Sequence, residues 1–252
     1  MFIDINCDMG ESFGQYEIGN DTSILPYITS SNIACGFHGG DPFHIEKTIK
    51  QAINYGVQIG AHPSYPDLNG FGRRYMQIDQ SELKAIIKYQ IAAIKGLVES
   101  LGSTLKYVKP HGALYNQAAK SETESRVIIS ALREMDEKLF LMGLAGSLTE
   151  KVCKEENIKF IAEAFADRKY ESNGTLMSRA KKGSVIFDPT TAAAQVLSIV
   201  LDKCVVTDDG AKIPIHAQSI CIHGDNPAAV DILKKIDSEF IKHNIQKRSF
   251  AI

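Results

Sequence analysis

Two phosphate cradles are missing from this chain. Its 252 residues contain no G-x-x-x-x-G-K-[ST] loop and no G-x-G-x-x-G fingerprint, so nucleotide binding by either standard arrangement is unsupported. No uninterrupted apolar run approaches the ~20 residues of a membrane span. The N-terminus carries Asp4 and Asp8 where a signal peptide needs a basic segment and then a long apolar one. Excess charge is missing too: 28 Lys and Arg against 30 Asp and Glu leave a net −2, no basis for binding nucleic acid or an anionic membrane. The five cysteines are odd in number and form no C-x-x-C pair, which argues for reduced thiols. The expectation is a soluble cytoplasmic protein. Repeats, low-complexity stretches and linkers are also lacking, so residues 1–252 read as one domain, of a size common for single α/β barrels.

What is present begins at Ile3-Asp4-Ile5-Asn6-Cys7-Asp8-Met9-Gly10-Glu11. Side chains alternate between the faces of a strand. One face here is apolar and the other reads acid, amide, acid before a glycine turn. Later segments repeat the pattern. Strands are expected over 31–38, 57–62, 105–111, 139–145, 159–165 and 219–225, and most place polar residues at their C-terminal ends. Between them lie helical signals. Asp41-Pro42 is a cap and first-turn pair for a helix to about Tyr55, and Asp79 or Ser81 opens one to about Leu101. Ser121-Glu122-Thr123-Glu124 resembles a capping box, Ser147 caps a helix to about Glu156, and Pro189 opens one to about Lys203. A last helix follows Asn226-Pro227. Phe13–Pro26 and Gly112–Asn116 read as loops, and Val205–Ile215, with Asp209-Gly210, as a small hairpin.

Strands alternating with helices predict a mostly parallel sheet. In an open sheet, seven strands at ~4.8 Å spacing would spread the polar ends over nearly 30 Å. Closure brings them around one mouth, where barrel enzymes keep their sites. The expected fold is therefore an irregular single-domain (β/α) barrel of about seven parallel strands. Its mouth would collect carboxylates, histidines and a lysine. Asp4, Asp8, Glu11, Lys109, His111, Glu163 and Asp167 are candidates for acid/base work. Asn6, Asp41, Arg73, Arg74, Arg168 and Asp225 are candidates for holding substrate, the arginines through bidentate bonds to an anion. Asp8, His38, His62 and His223 form a candidate set for a divalent metal of Zn, Mn or Co type. Lys109, on the inner parity, must be paired, with Glu163 or Asp4, or lose its charge. Cys35 faces the helices and reads as a core thiol rather than a nucleophile. His44, His216 and His243 read as surface or structural residues.

Several long stretches also resemble a known family. They are Asp4–Glu11, Asn32-Ile33-Ala34-Cys35-Gly36-Phe37-His38-Gly39-Gly40-Asp41-Pro42, Gly60–Asp67, Gly70-Phe71-Gly72-Arg73-Arg74, Val108-Lys109-Pro110-His111-Gly112-Ala113-Leu114-Tyr115-Asn116, Phe165–Arg168 and Ile222–Asp225. Together they are similar to the LamB/YcsF family over essentially the whole chain. The resemblance implies a glycoside hydrolase/deacetylase-like barrel. It also implies a role in opening 5-oxoproline (pyroglutamate) to glutamate with ATP as cosubstrate, together with partner subunits B and C. A homo-oligomer is compatible with that role. With no nucleotide motif here, the expected division of labour is activation elsewhere and ring positioning or hydrolysis on this chain. Two other classes stay open: a free-standing metal-dependent hydrolase of an amide or acetylated sugar, and a non-catalytic scaffold subunit.

Overall fold

Seven strands close into a ring. The structure, a computed structural model, describes residues 1–250. Strands β1 (Phe2–Met9), β2 (Ser30–Ala34), β3 (Gln58–His62), β4 (Leu105–Val108), β5 (Phe140–Leu144) and β6 (Phe160–Phe165) pair in that order, all parallel. A small antiparallel hairpin, β7 (Cys204–Val206) and β8 (Lys212–Pro214), stands apart from them. Strand β9 (Ser219–His223) then pairs with both β6 and β1, from Asp4 opposite Ser219 to Asp8 opposite His223, and so completes the barrel. A two-residue strand, β10 (Gln246–Lys247), adds beside the start of β1. This is the expected barrel of seven parallel strands. Its irregularity is a register shift between Ile59 and Gly60 where β3 meets β4.

Helices wrap the ring: α1 (Asp21–Ile24), α2 (Pro42–Asn54), α3 (Gln80–Ser100), α4 (Gly112–Ala118), α5 (Glu122–Met135), α6 (Leu148–Glu155), α7 (Pro189–Leu197) and α8 (Ala229–Lys242). Their starts follow the local chemistry. Asp41 accepts from the amides of Phe43 and His44, and Pro42 occupies the first turn, where no amide partner is needed. Ile45, Ile49 and Ala52 then form the stripe that α2 buries. In α3, Asp79 caps through the Ser81 amide, and Leu83, Ile87, Ile91, Ile94 and Val98 face inward.

The main core lies between helices and barrel. Ile5, Cys7, Ile33, Ile59, Val108, Ile220 and Ile222 point outward into it, as alternation requires. Inside the ring, apolar side chains form only a small cluster of Tyr107, Met142 and Ile161, with Phe140 and Phe250 against it. The rest of the interior is polar: Asp4, Asn6, Asp8, Ser30, Asn32, Lys109, Glu163 and Ser219 are all buried. Among the described residues, no helix is long and apolar enough to cross a membrane.

Some local expectations need correction. Gly112–Asn116 is helix α4 rather than loop; it starts after His111 with no side-chain cap, so nothing announced it. The stretch 13–26 contains α1, capped by Asn20, and a 3-10 turn at Leu25–Tyr27. The helix from Pro189 changes to a π-helical turn over Ser198–Asp202. The Ser121 hydroxyl donates to the Glu124 carboxylate and its amide to the Ala118 carbonyl, so neither bond of the expected capping box forms.

Candidate active site

The C-terminal ends of the strands open onto a cavity of about 710 Å³, lined by Asp8, His62, Lys109, His111, Arg168 and His223 among others. Its floor is built around Lys109. The ammonium reaches Glu163 Oε1 at 2.8 Å, Asp8 Oδ1 at 2.9 Å and Asn6 Oδ1 at 3.2 Å, with Cys221 Sγ at 3.1 Å. A lysine has three N–H donors, and three oxygens already take them. Burial works against the charge, but Asp8, Cys221 and Glu163 outweigh it and hold the Lys109 pKa well above its usual value. Around this centre the amides are fully committed. Asn32 Nδ2 donates to Asp8 Oδ1 and to Asn6 Oδ1, each at 2.7 Å, and Tyr107 donates to Asn32 Oδ1 at 2.7 Å. Asn6 Nδ2 donates to Glu163 Oε1, and Tyr115 to Glu163 Oε2.

Asp4 lies away from Lys109. It accepts from the hydroxyls of Thr29, Ser30 and Ser219, and burial pushes its pKa up to about 6. The expectation that Asp4 pairs with the lysine or works at the mouth is therefore corrected: Glu163 and Asp8 are the partners. Asn6 is likewise a fully buried part of the floor, not a group facing substrate.

One wall is imidazole. His62 Nδ1 donates to the Lys109 carbonyl at 2.7 Å, and His111 Nε2 donates to the Phe71 carbonyl at 2.9 Å. The remaining nitrogens, His62 Nε2 and His111 Nδ1, face each other at 2.9 Å. His38 stacks on His111 with centroids 3.7 Å apart and planes 3° from parallel, and its Nε2 meets Glu11 Oε1 at 3.2 Å. Burial holds His38 and His111 well below the usual histidine pKa, and each is lowered further by histidine neighbours. Burial, with Asp8 and Asp225 nearby, raises Glu11. For Asp8, burial pushes upward, but His62 and Lys109 outweigh it and keep the carboxyl well below its ordinary range. Phe71 and Gly72, both at positive φ, press the 67–74 loop onto this wall. A Cβ on Gly72 would lie 2.7 Å from His111 Cδ2 and 2.8 Å from His38 Cβ.

The expected metal quartet is divided by this arrangement. His38 and His62 group with Glu11 and His111, whereas His223 groups with Cys221; Asp8 stands between the two, grouped with His223 yet with its Oδ2 3.3 Å from His62 Nε2. The reason is azimuth: β1 to β4 run consecutively around the ring, and β9 sits on the far side of β1.

On that far side, His223 Nδ1 pairs with Asp167 Oδ1 at 2.8 Å, leaving Nε2 for the cavity. Asp167 also accepts from Asn226 and stays ionised: burial is offset first by His223. Three guanidiniums stand here. Arg73 bonds Asp225 and lies over the Phe71 ring, Arg179 approaches Asp225 at 3.6 Å, and Arg168 is buried with its Nε unpartnered. Burial and the neighbouring Arg179 pull the Arg168 pKa down to about 10. Two carboxylates, Asp225 and the His223-bound Asp167, face three guanidiniums, so this side keeps a net positive charge and is anion-seeking.

Two expected substrate contacts lie elsewhere. Arg74 points outward and clamps Asp67, which ties the loop through the Gly70 amide. Asp41 is spent on α2, His44 and the Gly14 amide. Conversely, Cys221, Tyr115, Asn32 and Arg179 line or support the site, and sequence reasoning does not single them out. Cys221 shares the parity of His223, which is the available signal; Tyr115 sits on the helix that reads as loop.

Comparison with known proteins follows the same outline. The LamB/YcsF family model matches residues 3–252. A relative from Acinetobacter baumannii (strain ACICU), named as the A component of 5-oxoprolinase, is 47% identical over 251 residues, covering 100% of this chain and 99% of its own. The crystal structure of a lactam utilization protein from Thermus thermophilus superimposes with a TM-score of 0.93 at 38% identity, covering 99% of this chain and 100% of that one. A family 4 carbohydrate esterase from Streptomyces lividans, at 10% identity and a TM-score of 0.53, covering 98% of this chain and 92% of its own, shares the fold.

Proposed function

Because the chain belongs to the LamB/YcsF family, we propose that it takes part in cleaving 5-oxo-L-proline to L-glutamate, coupled to ATP hydrolysis, together with partner subunits B and C. The observation that carries the reading is one side of the cavity that brings together what the two ends of that substrate need. Arg168, Arg179 and Arg73 offer an anion site of carboxylate size. Beside them, His223, oriented by Asp167, offers a nitrogen that moves protons.

Ring opening adds water to the lactam carbon, breaks the carbon–nitrogen bond and delivers a proton to the ring nitrogen. A lactam is a poor electrophile, and phosphorylating its carbonyl oxygen with ATP, which leaves as ADP, makes the carbon open to water; loss of the ring nitrogen then leaves an acyl phosphate, and a second water cleaves it to the carboxylate and inorganic phosphate. His223 Nε2 receives the proton of the attacking water and returns it to the departing nitrogen. Lys109 is a positioning residue in this scheme. Its N–H groups are occupied by Asp8, Glu163 and Asn6, so it fixes the carboxylates rather than gripping substrate.

The test is 5-oxoproline-dependent ATPase of the three-subunit complex, with each subunit omitted in turn and then with His223→Gln. General acid–base groups contribute about 10²–10⁴-fold. A drop of at least 100-fold in glutamate formation is expected for His223→Gln. Arg168→Gln should raise KM for 5-oxoproline more than it lowers kcat. Full activity without this chain would end the proposal.

A further inference from the structure

Two imidazole nitrogens that carry no hydrogen in the neutral rings meet inside the histidine wall, and their lone pairs need a positive partner. His62 Nδ1 and His111 Nε2 each face a backbone carbonyl, which accepts only, so each carries a hydrogen. In the neutral rings, His62 Nε2 and His111 Nδ1 are then both acceptors, yet they stand 2.9 Å apart. Either one of the two rings carries a second proton and donates it across the contact, or a metal ion to the side of the N···N line takes both lone pairs. A backbone carbonyl fixing the far nitrogen is the support that metal-binding histidines receive.

The carboxylates lean the same way. Asp8 Oδ1 is held by Lys109 and Asn32, which leaves Oδ2 facing His62 Nε2 at 3.3 Å. Glu11 Oε1 lies 3.7 Å from His111 Nδ1. We propose that Asp8 Oδ2, Glu11 Oε1, His62 Nε2 and His111 Nδ1 bind one first-row divalent cation, of the zinc type. Two imidazoles and two carboxylates suit Zn²⁺, with Mn²⁺ and Co²⁺ as competitors.

Two neighbours are left out for physical reasons. His38 stacks face to face on His111, so an ion in the plane of one ring stands off the plane of the other by the stacking distance. Its role is to wall the site. Cys221 touches the Lys109 ammonium, and burial raises its thiol, so a second cation has no place there. The assignment stands independently of the lactam reading, since it concerns occupancy and not turnover.

The experiment is metal analysis of the full chain, stripped with a chelator and reloaded separately with Zn²⁺, Mn²⁺ and Co²⁺, followed by dialysis. About one equivalent of zinc per chain is expected, with a thermal midpoint that rises on loading and falls again on chelation. His111→Gln and Glu11→Gln should each weaken zinc binding at least tenfold. In ¹⁵N spectra of the zinc-loaded protein, His62 should show one protonated ring nitrogen, Nδ1. Zinc retained at full affinity in both variants would overturn the site. So would a chain that binds no ion at micromolar concentration and shows one ring of the pair, His62 or His111, protonated on both nitrogens, the signature of the shared proton. Should a variant fail to fold, the spectrum of the wild-type chain still decides.

Discussion

Lys109 sits on the inner face of the barrel, only 2% exposed, with two carboxylates in contact. Removing one partner of a buried ion pair costs ~3–5 kcal/mol, because the other charge is left without compensation. Lys109→Met leaves both Asp8 and Glu163 stranded, so a loss at the upper end of that range is expected in urea denaturation. Adding Glu163→Gln neutralises one of the two. The double variant should recover part of the loss, with a coupling of ~0.5–3 kcal/mol. A cost below ~1 kcal/mol for Lys109→Met would mean that the three bonds to Asp8, Glu163 and Asn6 do not exist in solution. The same residue shows how alternation outperforms composition. Its parity with Tyr107 and His111 was legible, and so was its need for a partner. Of the partners expected, Glu163 meets it and Asp4 does not; Asp8 takes that place, because Asp4 and Asp8 share a parity and differ only in depth along β1.

Strand β3 reaches the site through a glycine. Gly60 pairs with Tyr107 across the register shift, and a Cβ there would lie 2.3 to 2.5 Å from three atoms of the Tyr107 ring. That ring is fully buried and donates to Asn32, which in turn donates to Asp8. Overpacking a filled interior costs ~1–3 kcal/mol, and a rigid ring leaves no cheap escape. Gly60→Ala should therefore lose about 3 kcal/mol and most of the activity of the complex. Adding Tyr107→Leu should restore the thermal midpoint but not turnover, since Asn32 remains without its donor. Equal recovery of both would remove the Tyr107–Asn32–Asp8 chain from the account. Elements were readable where a period or a cap marked them: Asp41-Pro42 announced α2, and Asp4, Asn6 and Asp8 announced the wet face of β1. The loop 67–74 has no period, so adjacent Arg73 and Arg74 could not be told apart. One faces the cavity and the other clamps Asp67.

Closure of the ring decides which distant residues meet. Strand order places Asp8, His38, His62 and His111 on neighbouring staves, and His223 on the stave beyond β1. The sequence supplied the strand ends but not their angular positions, so the first metal set mixed two sides of one cup. The same geometry bears on the nucleotide. Adenine nucleotides are commonly gripped by free amides at a helix start. Here the starts of α2, α6 and α7 give amides to Asp41, Ser147 and Asp188, two of them anionic, and at the uncapped α4, which borders the cavity, the Ala113 amide donates to the Gly72 carbonyl. The cavity's own arginines form a cluster of three with Asp225 and Asp167 beside them, suited to a small anion rather than a triphosphate with its base. The isolated chain should therefore show no stoichiometric ATP binding in calorimetry at tens of micromolar, while the complex with subunits B and C does. 5-Oxoproline, by contrast, should protect the isolated chain against thermal unfolding, and Arg168→Gln should abolish that protection. Micromolar ATP binding by the lone chain would move activation of the lactam into this barrel and undo the division of labour between subunits.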